Sequence, residues 1–368
     1  MPETLFFRML KETEKGPALG KAIGALSSGG SGDNTYPVEP SSFSQVPGSP
    51  FAYWVSERIR RLFLELPPFE SGGRTVKQGL ATADDFRFVR AWWEVAPERI
   101  LDSQKGPDWR EDLETFQSWC RQRTFEGKRW VPFAKGGEYS PYYADIHLVV
   151  NWERDGEEIR NFVDPKTGKT LSRPQNTDYY FRPGLTWPRR TQGGLSFRPY
   201  NAGGIFADKG PAAFVDLAAS AIFLGVINSR GFYILITLQM AFGSYEVGVI
   251  QRTPVPDVSA QVGHRLGETA RSAVKLKRSL DTANETSHVF QLPALLQGNG
   301  QTLAEGIGSS QAKEAAAVEK LAEYQREIDD IAFRLYGIDG EDRRVIEQGA
   351  HREGVGAEED SEKEESKE

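Results

Sequence analysis

The spacing of apolar residues divides the chain into stretches of different character. Phe51, Val55, Ile59, Leu62 and Leu66 recur at helical spacing, with Ser49 suited to cap that helix, Pro50 suited to its first turn and Pro67-Pro68 to stop it. Arg58 and Arg61 lie on its other face and read as solvated. Leu5 to Leu26 is also helical in pattern, interrupted at Gly16-Pro17, and runs into Ser27-Ser28-Gly29-Gly30-Ser31-Gly32-Asp33-Asn34, whose composition is that of a flexible linker. Between Gly79 and Gly210 the pattern becomes short strands rich in aromatics. The clearest are Lys128 to Phe133, Asp145 to Trp152, Gly184 to Trp187 and Leu195 to Tyr200, with turns at Arg154-Asp155-Gly156 and Lys166-Thr167-Gly168. Ala212 to Phe242 is the most apolar stretch and reads as buried helices passing one another near Asn228-Ser229, followed by a turn at Pro254-Val255-Pro256. Val318, Leu321, Ile328, Ile331 and Leu335 then form a stripe that needs a packing partner, with Gly337 placed to end the helix.

These patterns predict an α+β chain: a helical connector and linker over 1–45, a mixed α/β domain over 46–210, a helical C-terminal domain over 211–340 and an acidic tail over 341–368, disordered from about Gly349. Composition refines the picture. With 368 residues, 39% of them hydrophobic, the chain can build real cores. The net charge of −7 argues at first against a nucleic-acid partner. However, residues 341–368 hold eleven acids and five bases, a net of −6, which leaves 1–340 at −1. Cys120 is the only cysteine, so an internal disulfide and any cysteine-built metal site are excluded, in keeping with a reducing cytoplasm; it reads as a small buried hydrophobe. The start of the chain lacks the features of a signal peptide. Asp216 and Arg230 break the apolar stretch into runs shorter than the roughly 20 residues of a membrane span, so no membrane partner is expected.

Enzyme signatures are sparse. Leu66-Pro67-Pro68-Phe69 resembles the Asn/Asp-Pro-Pro-aromatic grip on a flipped adenine, but leucine cannot accept the hydrogen bond from the base. Gly29-Gly30-Ser31-Gly32 and Gly298-Asn299-Gly300 follow no convincing strand and should not bind a nucleotide, so no cofactor is expected in this chain. Pro107-Asp108 followed by Glu126-Gly127-Lys128 fits the pattern of a magnesium-dependent nuclease, although Arg110 to Arg123 between them reads as helix where a strand hairpin belongs. That nuclease, on Asp108, Glu126 and Lys128, is the alternative function. His147, His264, His288 and His351 are scattered; His147, in its strand, reads as a packed or hydrogen-bonded residue and not as a metal ligand or base.

Basic and aromatic residues interleave twice. Leu171 to Tyr200 carries Arg173, Arg182, Arg189, Arg190 and Arg198 against Asp178 alone, among Tyr179, Tyr180, Phe181, Trp187, Phe197 and Tyr200. Arg121 to Lys135 carries Arg121, Arg123, Lys128, Arg129 and Lys135 against Glu126. Such clusters bind phosphate or the acceptor edge of guanine, and Gly136-Gly137 and Gly193-Gly194 would let backbone approach phosphate. A sheet with an aromatic core and wet arginines has the same composition, and composition does not separate the two readings.

Eight stretches carry a resemblance to a known family. They are 46–54 (VPGSPFAYW); 79–90 (GLATADDFRFVR) with Trp93-Glu94-Val95; 132–138 (PFAKGGE); Thr186-Trp187-Pro188-Arg189-Arg190; 205–210 (IFADKG); Asn228-Ser229-Arg230; Tyr245-Glu246-Val247-Gly248; and 328–337 (IDDIAFRLYG). In order and spacing they resemble the specificity region of type IIG restriction-modification methylases and of the adenine-specific methyltransferases of BREX-like or DISARM-like phage-exclusion systems. The resemblance implies that 46–210 is a mixed-sheet target-recognition domain reading double-stranded DNA through one groove, braced or completed by the C-terminal helices. It implies Arg129, Lys135, Gly136 and Gly137 at the DNA backbone, and Arg182, Trp187, Arg189 and Arg190 near bases or phosphates. In that family a catalytic domain holding S-adenosylmethionine precedes these segments. The expectation is therefore a split enzyme with a separate methyltransferase subunit or a remnant of a longer gene, with the apolar face of residues 1–26 as a docking surface.

Overall fold

The computed structural model describes residues 3–10, 12–30, 34–240, 243–298 and 302–350. The acidic run from Glu358 to Glu368, and the ends of both glycine-rich stretches, lie outside them. The chain is α+β, with mixed and antiparallel sheets and a helical C-terminal part.

Its N-terminal segment differs from the helix expected over Leu5 to Leu26. Strand β1 (Thr4–Phe7) pairs antiparallel with β2 (Thr35–Val38), and only then does α1 (Lys15–Ser27) form between them, with Gly16-Pro17 in its first turn. Proline is tolerated there because the first amides of a helix have no internal acceptor. Helix α1 buries Ala22, while Leu19 and Ile23 stay exposed.

Helix α2 (Glu57–Glu65) is shorter than its apolar pattern. Ser56, not Ser49, caps it, accepting from the amide of Ile59, while Ser49 sits in a left-handed turn at φ +47°. Val55, Ile59 and Leu62 still face inward.

The strands form two four-stranded sheets. In the first, β3 (Thr75–Lys77) is followed by α3 (Asp85–Phe88) in sequence but pairs with β10 (Ala212–Phe214), and β10 with β7 (Gly184–Thr186) and then β8 (Arg198–Tyr200), all antiparallel. The second sheet orders β4 (Val89–Ala91), β6 (Leu148–Asn151), β5 (Trp130–Ala134) and β9 (Ile205–Phe206), with β9 parallel to β5. Helices α4 (Leu113–Phe125) and α5 (Glu153–Arg160) accompany this second sheet. The expected Arg154-Asp155-Gly156 turn is left-handed at all three residues and opens α5.

Strand β10 corrects the all-helical reading of 212–242 and the division at residue 210. Side chains alternate across a strand. Ala213 faces the helical core with its cross-strand neighbours Val76 and Leu185, while Ala212 and Phe214 face the core of the second sheet with Phe133, Val150 and Phe206. The first sheet thus separates two cores, and residues from Val46 to Val76 belong with the helices.

The C-terminal part contains α6 (Ser220–Ile227), α7 (Arg230–Gln239), α8 (Val247–Arg252), α9 (Ala260–Leu280) and α10 (Leu303–Tyr336). Helix α10 is opened by a capping box of Thr302 and Glu305 and stops at Gly337. Of the expected stripe, Ile328 and Ile331 close the helical core together with Ala332 and Tyr336, Leu321 and Leu335 pack against it, and Val318 is exposed. Helix α11 (Gly340–Ala350) occupies the beginning of the stretch expected as a disordered tail; Ile346 is buried there, which gives it a reason to fold. No single helix among the described residues is long and apolar enough to cross a membrane.

At the junction of α6 and α7, a buried network joins helices to strands. Asn228 exchanges hydrogen bonds with the backbone of Phe197, Gln325 bridges Asn228 O and Asp329, and Tyr142 donates to Gln325. Burial pushes the Asp329 carboxyl up to about 6, opposed by the amide and guanidinium of Arg230. A carboxyl whose folded value lies above its unfolded value near 4 contributes stability below that value and loses it as pH rises through the folded one. Asp329→Asn is expected to remove this dependence, so that the variant gains about 1 kcal/mol relative to wild type between pH 5 and 7. Thermal unfolding curves that stay parallel over that range would contradict the assignment.

Candidate nucleic-acid interface

Three loops meet where β5, β7 and β9 end. After β5 the chain runs through Lys135, Gly136 and Gly137, the glycines at φ +94° and +110°. L side chains rarely adopt these values. A Cβ on Gly136 would also stand 2.6 Å from the carbonyl oxygen of Lys209, and one on Gly210 would stand 2.3 Å from the amide nitrogen of Gly136. After β7, the amide of Arg189 donates to Lys209 O at 3.0 Å, and Arg189 O accepts from the amide of Tyr245 at 2.7 Å. Backbone contact among these loops therefore places Lys135, Arg189, Arg190 and Lys209 on neighbouring tips. The parallel pairing of β5 with β9 brings 135 and 209 together.

Arg198 holds the glycine loop from below. It is buried, donates to the carbonyls of Gly136 and Glu138, and its pKa is lowered to about 10 by burial. No carboxylate pairs with it among the described residues, so its charge serves backbone oxygens. Lys277 of α9 lies close by, donates to Ser140 and has its pKa lowered by burial and by the Arg198 charge. Lys135 pairs with Asp85; burial alone would raise that carboxyl, but hydrogen bonds from Lys135 and Thr82 bring it below the usual range.

The eight residues expected at DNA thus fall into separate groups. Lys135, Gly136, Gly137, Arg189 and Arg190 come together. Arg190 is exposed with no carboxylate partner among the described residues, and Arg189 is half-buried beside Glu246 at 3.6 Å. Arg129 lies at the opposite end of β5 in a surface network with Glu153 and Glu158, which Arg99 and Arg87 extend. Arg182 packs over Tyr179 and donates to Gln117 of α4. Trp187 is fully buried, 4.8 Å from Phe197 between ring centres, with its indole N–H on Tyr245 O at 2.9 Å. It is a core residue and cannot touch a base, which corrects its place in the set. The interleaving of arginines and aromatics over residues 171–200 concealed this distinction, because buried and wet aromatics look alike in sequence.

Sequence reasoning passed over Lys209, Asp85 and the anchoring role of Arg198. It also missed Arg271, Lys275 and Arg278, which share an exposed side of α9 at four- and three-residue spacing, without ion-pair partners among the described residues. That spacing was the available signal. His147, just before β6, is exposed and stacks on Trp93, and His288 pairs with Asp145 beside Trp92.

The nuclease alternative loses its geometry. Asp108 precedes the N-cap of α4 and Glu126 is its C-cap, so a 13-residue helix lies between them. At 1.5 Å per residue that is roughly 20 Å, too far for two carboxylates to share a metal. Asp108 is bonded to Arg110, Glu126 to Arg123 and Lys128 to Glu98 O. Among the described residues no group of three His, Cys, Asp or Glu side chains is arranged to hold a metal. Gly29-Gly30 follows helix α1 and not a strand.

No family model matches the chain. It is similar to the adenine-specific methyltransferase PglX of Lacticaseibacillus casei (strain Zhang), 26% identical over 316 residues that cover 83% of this chain and 24% of that protein. It is likewise similar to the adenine-specific methyltransferase BrxX of Escherichia coli O9:H4 (strain HS), 26% identical over 300 residues, 80% of this chain and 22% of that one. Among solved structures, the type IIL restriction-modification enzyme MmeI in complex with DNA aligns with a TM-score of 0.41 and 10% identity, covering 78% of this chain and 36% of its own. The chain therefore spans about a quarter of the length of two adenine-specific methyltransferases to which most of it is similar.

Proposed function

We propose that this chain is the DNA target-recognition part of an adenine-specific methyltransferase of a restriction-modification or phage-defence system. It would hold double-stranded DNA for a catalytic domain that binds S-adenosylmethionine elsewhere, in a separate methyltransferase subunit or in another part of a longer chain. The observation that carries the reading is the convergence of Lys135, Arg189, Arg190 and Lys209 on loops whose glycines let their backbones pack against one another, within a chain similar to adenine-specific methyltransferases over four-fifths of its length. Arg190 and Lys209 are exposed and available to phosphate, Lys135 and Arg189 add positive charge beside them, and the exposed row on α9 offers a second line of phosphate contacts. The exposed Leu19 and Ile23 of α1 are the surface we assign to the catalytic partner.

The test is fluorescence anisotropy of a mixed-sequence duplex at low and moderate salt. Arg189→Ala with Arg190→Ala is expected to weaken binding about tenfold and to reduce the log–log salt slope by about 2, one for each phosphate no longer neutralised. Wild-type protein that ignores duplex DNA even at low salt would end this reading. Replacing Arg271, Lys275 and Arg278 together with alanine is expected to reduce the slope by about 3 if all three meet phosphate; an unchanged slope would remove α9 from the interface.

A further inference from the structure

Phe86 is the most exposed large apolar side chain among the described residues, at 93%. Single apolar residues on a surface are ordinary. What distinguishes Phe86 is the rigidity of the turn that carries it. Leu80 donates to Phe206 O and accepts from the amide of Asp208, while Ala81 and Arg173 exchange backbone hydrogen bonds on the other side. The chain then passes through Ala83 at φ +63°, a conformation that a residue with a Cβ adopts only where its surroundings impose it. Asp84 accepts from the amide of Arg87, Asp85 is held by Thr82 and Lys135, and Arg87 pairs with Glu158 over the Phe162 ring. Phe88 is fully buried, and the guanidinium of Arg90 donates to the carbonyl of Phe86 itself.

Every polar side chain of this turn is thus fastened, and the one unfastened group is a phenyl ring in water. Asp84 and Asp85 precede it, and cations stand around that pair. Lys135 and Lys209 both act on the adjacent Asp85 carboxylate, and Arg173, across the bridge from Ala81, is exposed. A flat apolar ring on a rigid mount between phosphate-binding cations matches one ligand chemistry: the face of a nucleobase at an opened step of a duplex.

We propose that Phe86 is a wedge that enters or stacks against a base step of the bound duplex, with Lys135, Lys209 and Arg173 holding the flanking phosphates. This rests on the DNA-reading function proposed above. The ring replaces the lost base stacking on one side, so binding is easier where the step is already weakened.

The full-length chain would be titrated with a mixed-sequence duplex and with the same duplex carrying a central mismatch. Wild type is expected to favour the mismatched duplex by about tenfold. Phe86→Ala, at a position too exposed to disturb folding, should bring that ratio to about one while leaving the salt slope unchanged, because no cation is removed. Phe86→Trp should restore the preference. An equal preference in wild type and Phe86→Ala overturns the wedge and leaves DNA reading standing. Failure of wild type to bind either duplex overturns both.

Discussion

Trp187→Ala is expected to lower the stability of the protein by about 3–5 kcal/mol, the range for removing a large aromatic side chain from a core. The indole is wholly buried, lies against Phe197 and donates to Tyr245 O, so the substitution leaves both a cavity and an unpaired carbonyl. Its position magnifies the cost. Trp187 directly follows β7, where the first sheet meets the helical core, and shares that core with Phe232 and Leu235 of α7. Urea unfolding should show a lower midpoint with an unchanged slope. A loss below about 1 kcal/mol would mean that the site collapses around the cavity and that Trp187 does not join sheet to helices.

Gly210→Ala should cost about 3 kcal/mol, the upper part of the range for overpacking, because the new Cβ would press on backbone and not on a side chain that can turn away. Its nearest neighbours would be the amide nitrogen of Gly136, the carbonyl oxygen of Ala134 and the carbonyl carbon of Lys135. The damage falls on the loop that presents Lys135, so duplex affinity should fall more than in a variant of equal stability loss made elsewhere. A helical-core substitution such as Ile328→Ala, in the range of about 2–5 kcal/mol, is a suitable comparison. If both variants lose affinity in proportion to stability, the glycine contact has no special part in shaping the interface.

Local pattern carried much of the architecture. Short apolar runs rich in aromatic and β-branched residues at Trp130–Ala134 and Leu148–Asn151 identified strands, and the three- and four-residue stripe identified the helix ending at Tyr336. The errors arose where a distant partner decided the outcome. Thr4–Phe7 became a strand because Thr35–Val38 pairs with it, and Ala212–Phe214 became one because β3 and β7 lie on either side. An apolar run of a few residues suits a helix or a buried strand equally, and only the neighbour chooses.

The candidate site divides along the same line. Gly136-Gly137 and Arg189-Arg190 were legible as glycines and clustered cations, whereas Lys209 joins them only through parallel pairing of strands that stand some 70 residues apart in sequence. Trp187 and Arg198 sat in the basic, aromatic stretch and were indistinguishable there from wet residues, yet both are buried.

By itself the sequence determined the α+β class, the near-neutral body with its acidic end, and the absence of cysteine chemistry, because these follow from composition and from periods spanning a few residues. Tertiary structure alone decided which cations share a surface, which aromatics are core and that the ring of Phe86 stands in water. Those depend on contacts between residues far apart in the chain, and no local period encodes them.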